Sequence, residues 1–179
     1  TTTIGNTPVI VKYGSISGYF GGVRMSGFDN GTLHNHGDIA GGVSSSSGDD
    51  VVRNSGKIDG DIALSSGNDV FDGRGGTVTG EIQGGSGDDT YLIDNPGVEL
   101  VEFVGLGADT VRTWVSFTLP DNIETLILQG DEEIDGIGND QANTINGNNV
   151  ANELSGGTGN GQVNTITGND GDNTLNGAD

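Results

Sequence analysis

Short apolar segments alternate with glycine-rich and polar turns along most of the chain, and both recur at a step of about 20 residues. Segments 35–41 and 54–60 repeat one pattern, of which 76–80 is a third copy. Gly-x-Asp triplets recur between these segments, and they end at Asp29, Asp50, Asp69, Asp89 and Asp109. A step that holds two glycine-rich turns and two short apolar strands predicts an all-β parallel solenoid with two faces per coil.

An apolar residue follows most triplets two positions after the aspartate, as expected for a strand that begins at the turn. These residues are Val52, Phe71, Tyr91 and Val111, whereas Gly31 occupies this position after Asp29. Alternation over 111–119 predicts one further strand, and the apolar run 123–128 predicts another. Segment 97–104 has strand composition, and we expect it to stack on the solenoid with Glu99 and Glu102 facing outward. No segment predicts a helix.

The aspartates form the main candidate site. Stacked coils place Asp50, Asp69, Asp89 and Asp109 in one column, with neighbours separated by about one strand spacing of ~4.8 Å. Carboxylates this close repel each other, and a divalent cation between successive coils removes the repulsion while taking oxygen ligands from both turns. The column therefore predicts metal sites between coils, not isolated sites within one coil. In the alternative interpretation, each aspartate only caps its own backbone.

The C-terminal part keeps the repeat but replaces the aspartate. Four nonapeptides carry asparagine as their sixth residue, at Asn143, Asn152, Asn164 and Asn173. Asparagine lacks the charge that favours calcium, but it can form hydrogen bonds along a column of equivalent residues. We therefore expect these turns to be metal-poor. Residues 156–158 interrupt the nine-residue step, which predicts a bulge or a change of register there.

Segment 84–92 fills every fixed position of the nonapeptide G-G-x-G-x-D-x-U-x, in which U is a large apolar residue. The glycines permit positive φ and inward carbonyls, and the aspartate adds an anionic oxygen. In this motif the chain resembles the RTX (repeats-in-toxin, haemolysin-type) calcium-binding repeat family of bacterial type I secreted proteins. The resemblance implies a parallel β-roll or β-helix solenoid with calcium bound in glycine- and aspartate-rich turns.

The resemblance extends over residues 27–179 and implies metal ligands in the triplets and the glycine-rich turns. The predicted ligand residues are Asp29, Asp50, Asp69, Gly84, Gly85, Gly87, Asp89, Gly105, Gly107 and Asp109. The segment around Asp109 lacks one glycine of the motif. We divide one continuous solenoid into an N-terminal cap or linker strand region (1–26), a calcium-binding repeat block (27–112), spacer strands (113–135) and an asparagine-rich degenerate nonapeptide block (136–179).

Composition agrees with a solenoid and with a charged, metal-dependent chain. The 35 glycines and 31% apolar residues are too few large side chains for one thick core, whereas a solenoid needs only a thin apolar column. Self-repulsion from the net charge of −20 should keep the metal-free chain expanded, so that cation binding contributes folding energy. Cysteine is absent, which fits an extracellular protein but also many cytosolic ones. We expect no membrane span and no nucleic-acid partner.

Several other polar residues have an ordinary interpretation beside a functional one. His34 and His36 could suggest a transition-metal pair, but neighbouring strand positions face opposite sides, so a surface turn is favoured. Arg53 and Arg112 share one phase of the repeat and are expected to pair with nearby acids, with an acidic sugar as the less favoured partner. The carboxylates of Asp94, Asp131 and Asp135 fit solvated loops at least as well as ligand positions.

Three classes of function fit the chain. The favoured one is a calcium-binding module of a larger secreted bacterial protein, which folds on calcium binding after export. The second is a calcium-dependent carbohydrate-binding or adhesive module for extracellular polysaccharide, which the single tryptophan, Trp114, makes less favoured. The third, part of a polysaccharide lyase or epimerase, lacks a basic catalytic constellation, and we expect no enzyme. Exposed coil ends also allow a homo-oligomer.

Overall fold

A computed structural model describes residues 9–12, 14–16, 22–25, 30–158 and 162–177. These residues form short parallel β-strands stacked into a solenoid, and no helix occurs among them, so the described part holds no helix that could cross a membrane. The predicted all-β parallel solenoid is confirmed. Asp29 lies outside the described residues.

The first half of the chain contains strands β1 to β12. They are β1 (Val9–Lys12), β2 (Ser15–Ile16), β3 (Val23–Arg24), β4 (Thr32–Asn35), β5 (Asp38–Ile39), β6 (Val43–Ser44), β7 (Val51–Asn54), β8 (Lys57–Ile58), β9 (Ile62–Ala63), β10 (Val70–Asp72), β11 (Thr77–Val78) and β12 (Glu81–Gln83). The second half continues with β13 (Thr90–Ile93), β14 (Glu99–Val101), β15 (Thr110–Thr113), β16 (Phe117–Thr118), β17 (Thr125–Leu128), β18 (Gly136–Ile137), β19 (Thr144–Asn146), β20 (Glu153–Ser155), β21 (Thr165–Thr167) and β22 (Thr174–Asn176).

One nine-stranded sheet runs the whole length of the solenoid, in the order β1-β4-β7-β10-β13-β15-β17-β19-β21. Three shorter parallel sheets form the other faces, in the orders β11-β8-β5-β2, β14-β12-β9-β6-β3 and β16-β18-β20-β22. Strands β1, β2 and β3 pair with β4, β5 and β6, so the described part of residues 1–26 forms a first coil.

The coils of the first half have three strands each, whereas the prediction gave two. The additional corner lies at a column of glycines whose backbones touch. A Cβ atom added to Gly60 would lie 2.7 Å from the Gly42 nitrogen, and one added to Gly80 would lie 2.6 Å from the Asp61 nitrogen. This close approach lets the chain turn once more within the same 20 residues. From β13 onward each coil has two named strands.

Apolar side chains form a thin interior column behind the long sheet. Parallel pairing in register stacks one inward residue per coil: Leu33, Val52, Phe71, Tyr91, Val111, Leu126 and Ile145, all buried. A second column from the sheet containing β12 includes Val43, Ile62, Ile82 and Leu100. Each coil covers the apolar side chains of its neighbours, so the fold needs few large residues.

The strand predicted over 111–119 is two strands. Strand β15 ends at Thr113 and β16 begins at Phe117, with a corner between them. The Thr113 hydroxyl donates to the Val115 carbonyl at 2.9 Å and accepts from the Val115 amide at 3.2 Å. Val111, Phe117 and Leu119 still face the core, because the alternation resumes after the corner.

Candidate metal centre

The four predicted aspartates of the column lie at equivalent positions on consecutive coils. Asp50, Asp69, Asp89 and Asp109 each stand immediately before a strand of the long sheet, and those strands pair in register. The four side chains are between 0% and 2% exposed. The structure therefore brings four carboxyl groups together inside the turn edge of the solenoid.

Backbone amides connect these carboxyl groups from coil to coil. The amide of Asp50 donates to Asp69 Oδ1 at 2.6 Å, that of Asp69 to Asp89 Oδ1 at 2.7 Å, and that of Asp89 to Asp109 Oδ1 at 2.8 Å. The amide of Gly31 likewise donates to Asp50 Oδ1. The aspartates thus accept from the preceding coil, which differs from the alternative in which each caps its own turn.

A second ladder, on the exposed side of the same turns, runs in the opposite sense. The amide of Asn68 donates to Asp49 Oδ1 at 2.8 Å, and the amide of Asp88 donates to Asn68 Oδ1 at 2.8 Å. The ladder continues to Ala108, whose amide donates to Asp88 Oδ1 at 2.9 Å. The middle residue of each Gly-x-Asp triplet therefore fixes the spacing of the coils, while the aspartate is left facing inward.

The inner carboxyl groups are incompletely satisfied. The Oδ2 atoms of Asp69 and Asp89 are buried and accept no hydrogen bond from the described residues. Burial, aided by the neighbouring acids, raises the pKa of Asp69, Asp89 and Asp109 to about 7. Burial also raises the pKa of Asp50. Every lysine and arginine side chain whose burial the structure describes is exposed, so the interior negative charge has no protein counterion there.

Glu102 joins this column, although its predicted orientation was outward. Glu99 is exposed as expected, but Glu102 is only 5% exposed and faces the interior. Oxygen atoms of Asp89, Glu102 and Asp109 lie within 4.8 Å of one another. The correction follows from strand geometry, since residues two apart share a face and Leu100 points into the core. Glu99 and Glu102 are three apart and cannot both face outward from one regular strand.

Glu124 extends the column beyond Asp109. The amide of Asp109 donates to Glu124 Oε2 at 2.8 Å, and pairing of Thr110 with Thr125 makes the two acids equivalent. Sequence analysis missed this residue because Glu124 lies outside any Gly-x-Asp triplet. The signal was the Glu-Thr-Leu order at 124–126, which matches Asp-Thr-Val at 109–111.

The predicted glycines divide into close-packed and open positions. Gly87 has φ of +119°, and a Cβ atom there would lie 2.0 Å from the Gly67 carbonyl oxygen. A Cβ atom on Gly107 would lie equally close, 2.0 Å from the Gly87 carbonyl oxygen. The amides of Gly84 and Gly85 donate to Glu102 at 3.1 and 3.3 Å. Gly105 is exposed, with no atom within 4 Å of an added Cβ, and the structure does not bring it into the carboxylate cluster.

The asparagine block forms the same ladder with neutral groups. The amide of Asn143 donates to Asn164 Oδ1 at 2.8 Å, and the amide of Asn152 donates to Asn173 Oδ1 at 3.1 Å. Their side-chain amides also donate, from Asn143 Nδ2 to the Ile123 carbonyl at 3.1 Å and from Asn152 Nδ2 to the Ile134 carbonyl at 2.6 Å. These turns contain donors where the aspartate turns contain anionic oxygens.

The remaining sequence candidates lie on the outer surface. His34 and Arg53 are neighbours in the register of β4 and β7. The His36 Nδ1 atom lies 2.7 Å from the Ser55 hydroxyl oxygen. The carboxylate of Asp94 accepts from the Gly75 amide at 2.8 Å, and that of Asp135 accepts from the Glu153 amide at 2.8 Å. These contacts fit the ordinary interpretation of surface turns.

Arginine and tryptophan meet on the exposed face of the long sheet. Arg74 forms two hydrogen bonds with the Asp72 carboxylate, both at 2.8 Å, and its guanidinium lies 4.6 Å from the centre of the Trp114 ring. Arg53 lies beside Asp72 in the strand register, and Arg112 projects from the same face three strands beyond Arg53. Three of the four arginines thus lie on one face of a chain with net charge −20.

Comparison with known proteins gives a partial likeness. The chain is 41% identical over 64 residues to the endo-1,3-1,4-beta-glycanases EglC and ExsH of Rhizobium meliloti (strain 1021). The matched part is 36% of this chain, and the chain spans 14% of the length of either relative. No family model and no solved structure matches the chain.

Proposed function

We propose that this chain is a calcium-binding, RTX-type solenoid module of a larger secreted bacterial protein, and that it folds on calcium binding after export. The observation that carries the proposal is the buried aspartate column, because Asp69 and Asp89 direct an unpaired carboxylate oxygen into an interior without a protein counterion. Carboxylate oxygens are the ligands that calcium prefers, and each interior aspartate can face an ion in the gap above it and another below.

Calcium supplies the energy that the thin core lacks. A site with a dissociation constant of ~0.1 mM in ~1 mM free calcium contributes roughly 1.4 kcal/mol, so several sites together are comparable with the stability of a whole domain. Cytosolic calcium is far below such a dissociation constant. The partial likeness to two glycanases, of which the matched part is only 14%, supports a module attached to other domains.

The test is far-ultraviolet circular dichroism of the chain under three conditions. We expect a coil spectrum in chelator and a β spectrum in millimolar calcium. We expect no such change in millimolar magnesium, because magnesium requires shorter bonds in octahedral geometry. A β spectrum that persists unchanged in chelator contradicts the proposal.

A calcium-dependent carbohydrate-binding module is the second candidate, and the basic face around Trp114 favours it. Arg53, Arg74 and Trp114 offer cationic and aromatic contacts to an acidic sugar on an otherwise acidic molecule. A glycan array with and without calcium tests this candidate. Arg53→Ala should then lose binding, while Arg24→Ala, an exposed arginine on another sheet, should retain it.

We expect the chain by itself to have no enzyme activity. Its buried carboxylates are engaged in the column, and the basic residues that the structure describes form no catalytic group with a nucleophile or base. Hydrolysis of a mixed-linkage glucan by the purified chain, or turnover of alginate or pectin, would overturn this expectation and restore the enzyme hypothesis.

A further inference from the structure

One group of carboxylates in the column differs from the others. Asp89, Glu102 and Asp109 present oxygen atoms within 4.8 Å of one another, and all three side chains are at least nine-tenths buried. Two oxygens on opposite sides of a calcium ion at ~2.4 Å from the metal are about this far apart. A single ion can therefore contact all three carboxylates.

Two of these carboxylates pack directly against the backbone of Gly84, where no side chain would fit. A Cβ atom added to Gly84 would lie 2.2 Å from Asp89 Oδ2 and 2.5 Å from Glu102 Oε1. Asp89 Oδ2 is buried and accepts no hydrogen bond from the described residues. Glycine at position 84 thus lets one unpaired oxygen and a second carboxylate come together at the same point.

Glu102 is held in this position by three donors. The amides of Gly84 and Gly85 donate to its two oxygens, and the buried Tyr91 hydroxyl donates to Oε1. Three donors to one carboxylate fix the direction in which its oxygen atoms point.

We propose that Asp89, Glu102 and Asp109 form an interior site for a calcium-sized divalent cation, with Glu102 as a ligand from outside the repeat motif and Tyr91 as its positioning residue. The site takes a hard cation, because every converging side-chain donor is a carboxylate oxygen. This inference rests on the proposed function in that both place cations in the aspartate column. It adds a third carboxylate, which makes this the tightest site of the column.

Terbium luminescence of the full chain tests the site, because Tb³⁺ accepts the oxygen ligands of calcium and its emission is sensitised by an aromatic ring close by. Tyr91 is such a ring. We expect a first binding phase that calcium displaces. Glu102→Gln removes a charged ligand, so it should weaken this phase about 100-fold, as much as the largest losses seen when a partner of a metal ligand is removed. Glu99→Gln is the matched control, an exposed glutamate on the same strand, and should leave the phase unchanged.

Tyr91→Phe separates positioning from ligation. The substitution keeps the ring in the core but removes the hydroxyl, so we expect about tenfold weaker binding in the first phase, with sensitised emission retained in part. Equal affinity in wild type and Glu102→Gln overturns the proposal. If Glu102→Gln gives no β spectrum at saturating calcium, the wild-type chain crystallised with Tb³⁺ decides the matter: an anomalous peak among the three carboxylates supports the site, and its absence overturns it.

The outcomes for this site and for the proposed function are distinct. Calcium-induced folding that survives in Glu102→Gln with unchanged first-phase affinity overturns the site and leaves the function standing. A β spectrum that persists in chelator, together with a first phase that Glu102→Gln weakens, overturns calcium-driven folding and supports the site.

Discussion

The aspartate turns of the first half and the asparagine turns of the second use one backbone arrangement with opposite chemistry. In both, a side-chain oxygen accepts the amide of the equivalent residue on the preceding coil, at 2.7 Å for Asp89 and 2.8 Å for Asn164. The other terminal atom of the side chain, Oδ2 in aspartate and Nδ2 in asparagine, behaves differently. Asp89 Oδ2 has no donor among the described residues, whereas Asn143 Nδ2 donates to the Ile123 carbonyl.

The same turn geometry therefore forms with either residue, and only the aspartate version is expected to need a cation. An asparagine contributes a donor, which pairs with a backbone carbonyl, and it adds no charge. An aspartate contributes a second anionic oxygen, which is costly when it is buried without a partner. Two neutral atoms, Asn152 Oδ1 and Asn164 Nδ2, also lack partners in the asparagine block, but an unpaired neutral amide costs less than an unpaired charge.

The largest expected effect comes from converting one block into the other. In Asp69→Asn/Asp89→Asn/Asp109→Asn, each new amide can donate to the preceding coil as Asn143 does, so the chain should give a β spectrum in chelator and lose most calcium binding. Circular dichroism and calorimetric titration measure the two effects. Asp49→Asn/Asp88→Asn is the control on the exposed ladder and should keep the calcium requirement. A triple variant that still needs calcium to fold would contradict the comparison.

Acid should partly replace calcium, and only in the aspartate block. The pKa of Asp69, Asp89 and Asp109 is raised to about 7 by burial and by neighbouring acids that include Glu102 and Glu124. A carboxyl group with a raised pKa in the folded state binds extra protons there. The metal-free chain therefore gains stability as pH falls from above 7 towards 4, by about 1.4 kcal/mol per pH unit for each extra proton.

Circular dichroism of the metal-free chain between pH 8 and pH 5 measures this dependence. Lower pH also reduces the overall net charge, which favours compact states in any acidic chain. The triple asparagine variant controls for that general effect, because it keeps the remaining surface acids. Equal pH dependence in the wild type and the triple variant would show that the column is not responsible.

The sequence predicted the repeat well because the repeat is a local property. Glycine and aspartate at a fixed step specify where each turn falls, and the apolar residue two positions later specifies which strand residue faces inward. The column of Asp50, Asp69, Asp89 and Asp109 follows directly from stacking such coils, and the structure has it. The third strand of the early coils was missed, because its two-residue strands carry almost no alternation.

The residues that contact the aspartate column could not be predicted from a local motif, because they come from distant parts of the chain. Glu102 reaches Asp89 because β14 stacks on β12, which brings segment 97–104 against the turn at Gly84. Its inward direction was nevertheless present in the alternation of Leu100 and Glu102. The unpaired oxygen of Asp89 could not be read from the sequence, since it depends on where every neighbouring donor points.

The smallest expected effect comes from adding one methyl group to the first glycine of a turn in each block. A Cβ atom at Gly84 would lie 2.2 Å from Asp89 Oδ2, and one at Gly138 would lie 2.4 Å from Asn143 Oδ1. Gly84→Ala and Gly138→Ala should therefore each lower the free energy of unfolding by about 1–3 kcal/mol, the usual cost of overpacking. Gly97→Ala is the control, since its added Cβ meets only Asn95 Oδ1 at 3.4 Å.

The two alanine variants should differ in calcium affinity. At Gly84 the methyl group would clash with Asp89 Oδ2 and Glu102 Oε1, so it displaces two proposed ligand oxygens as well as crowding the turn. At Gly138 it crowds a neutral amide that already has its own partners. Denaturant unfolding in saturating calcium, with calorimetric titration of each variant, measures both quantities. Equal loss of calcium affinity in Gly84→Ala and Gly138→Ala would mean that the asparagine turns bind cations too, and the contrast between the two blocks would fail.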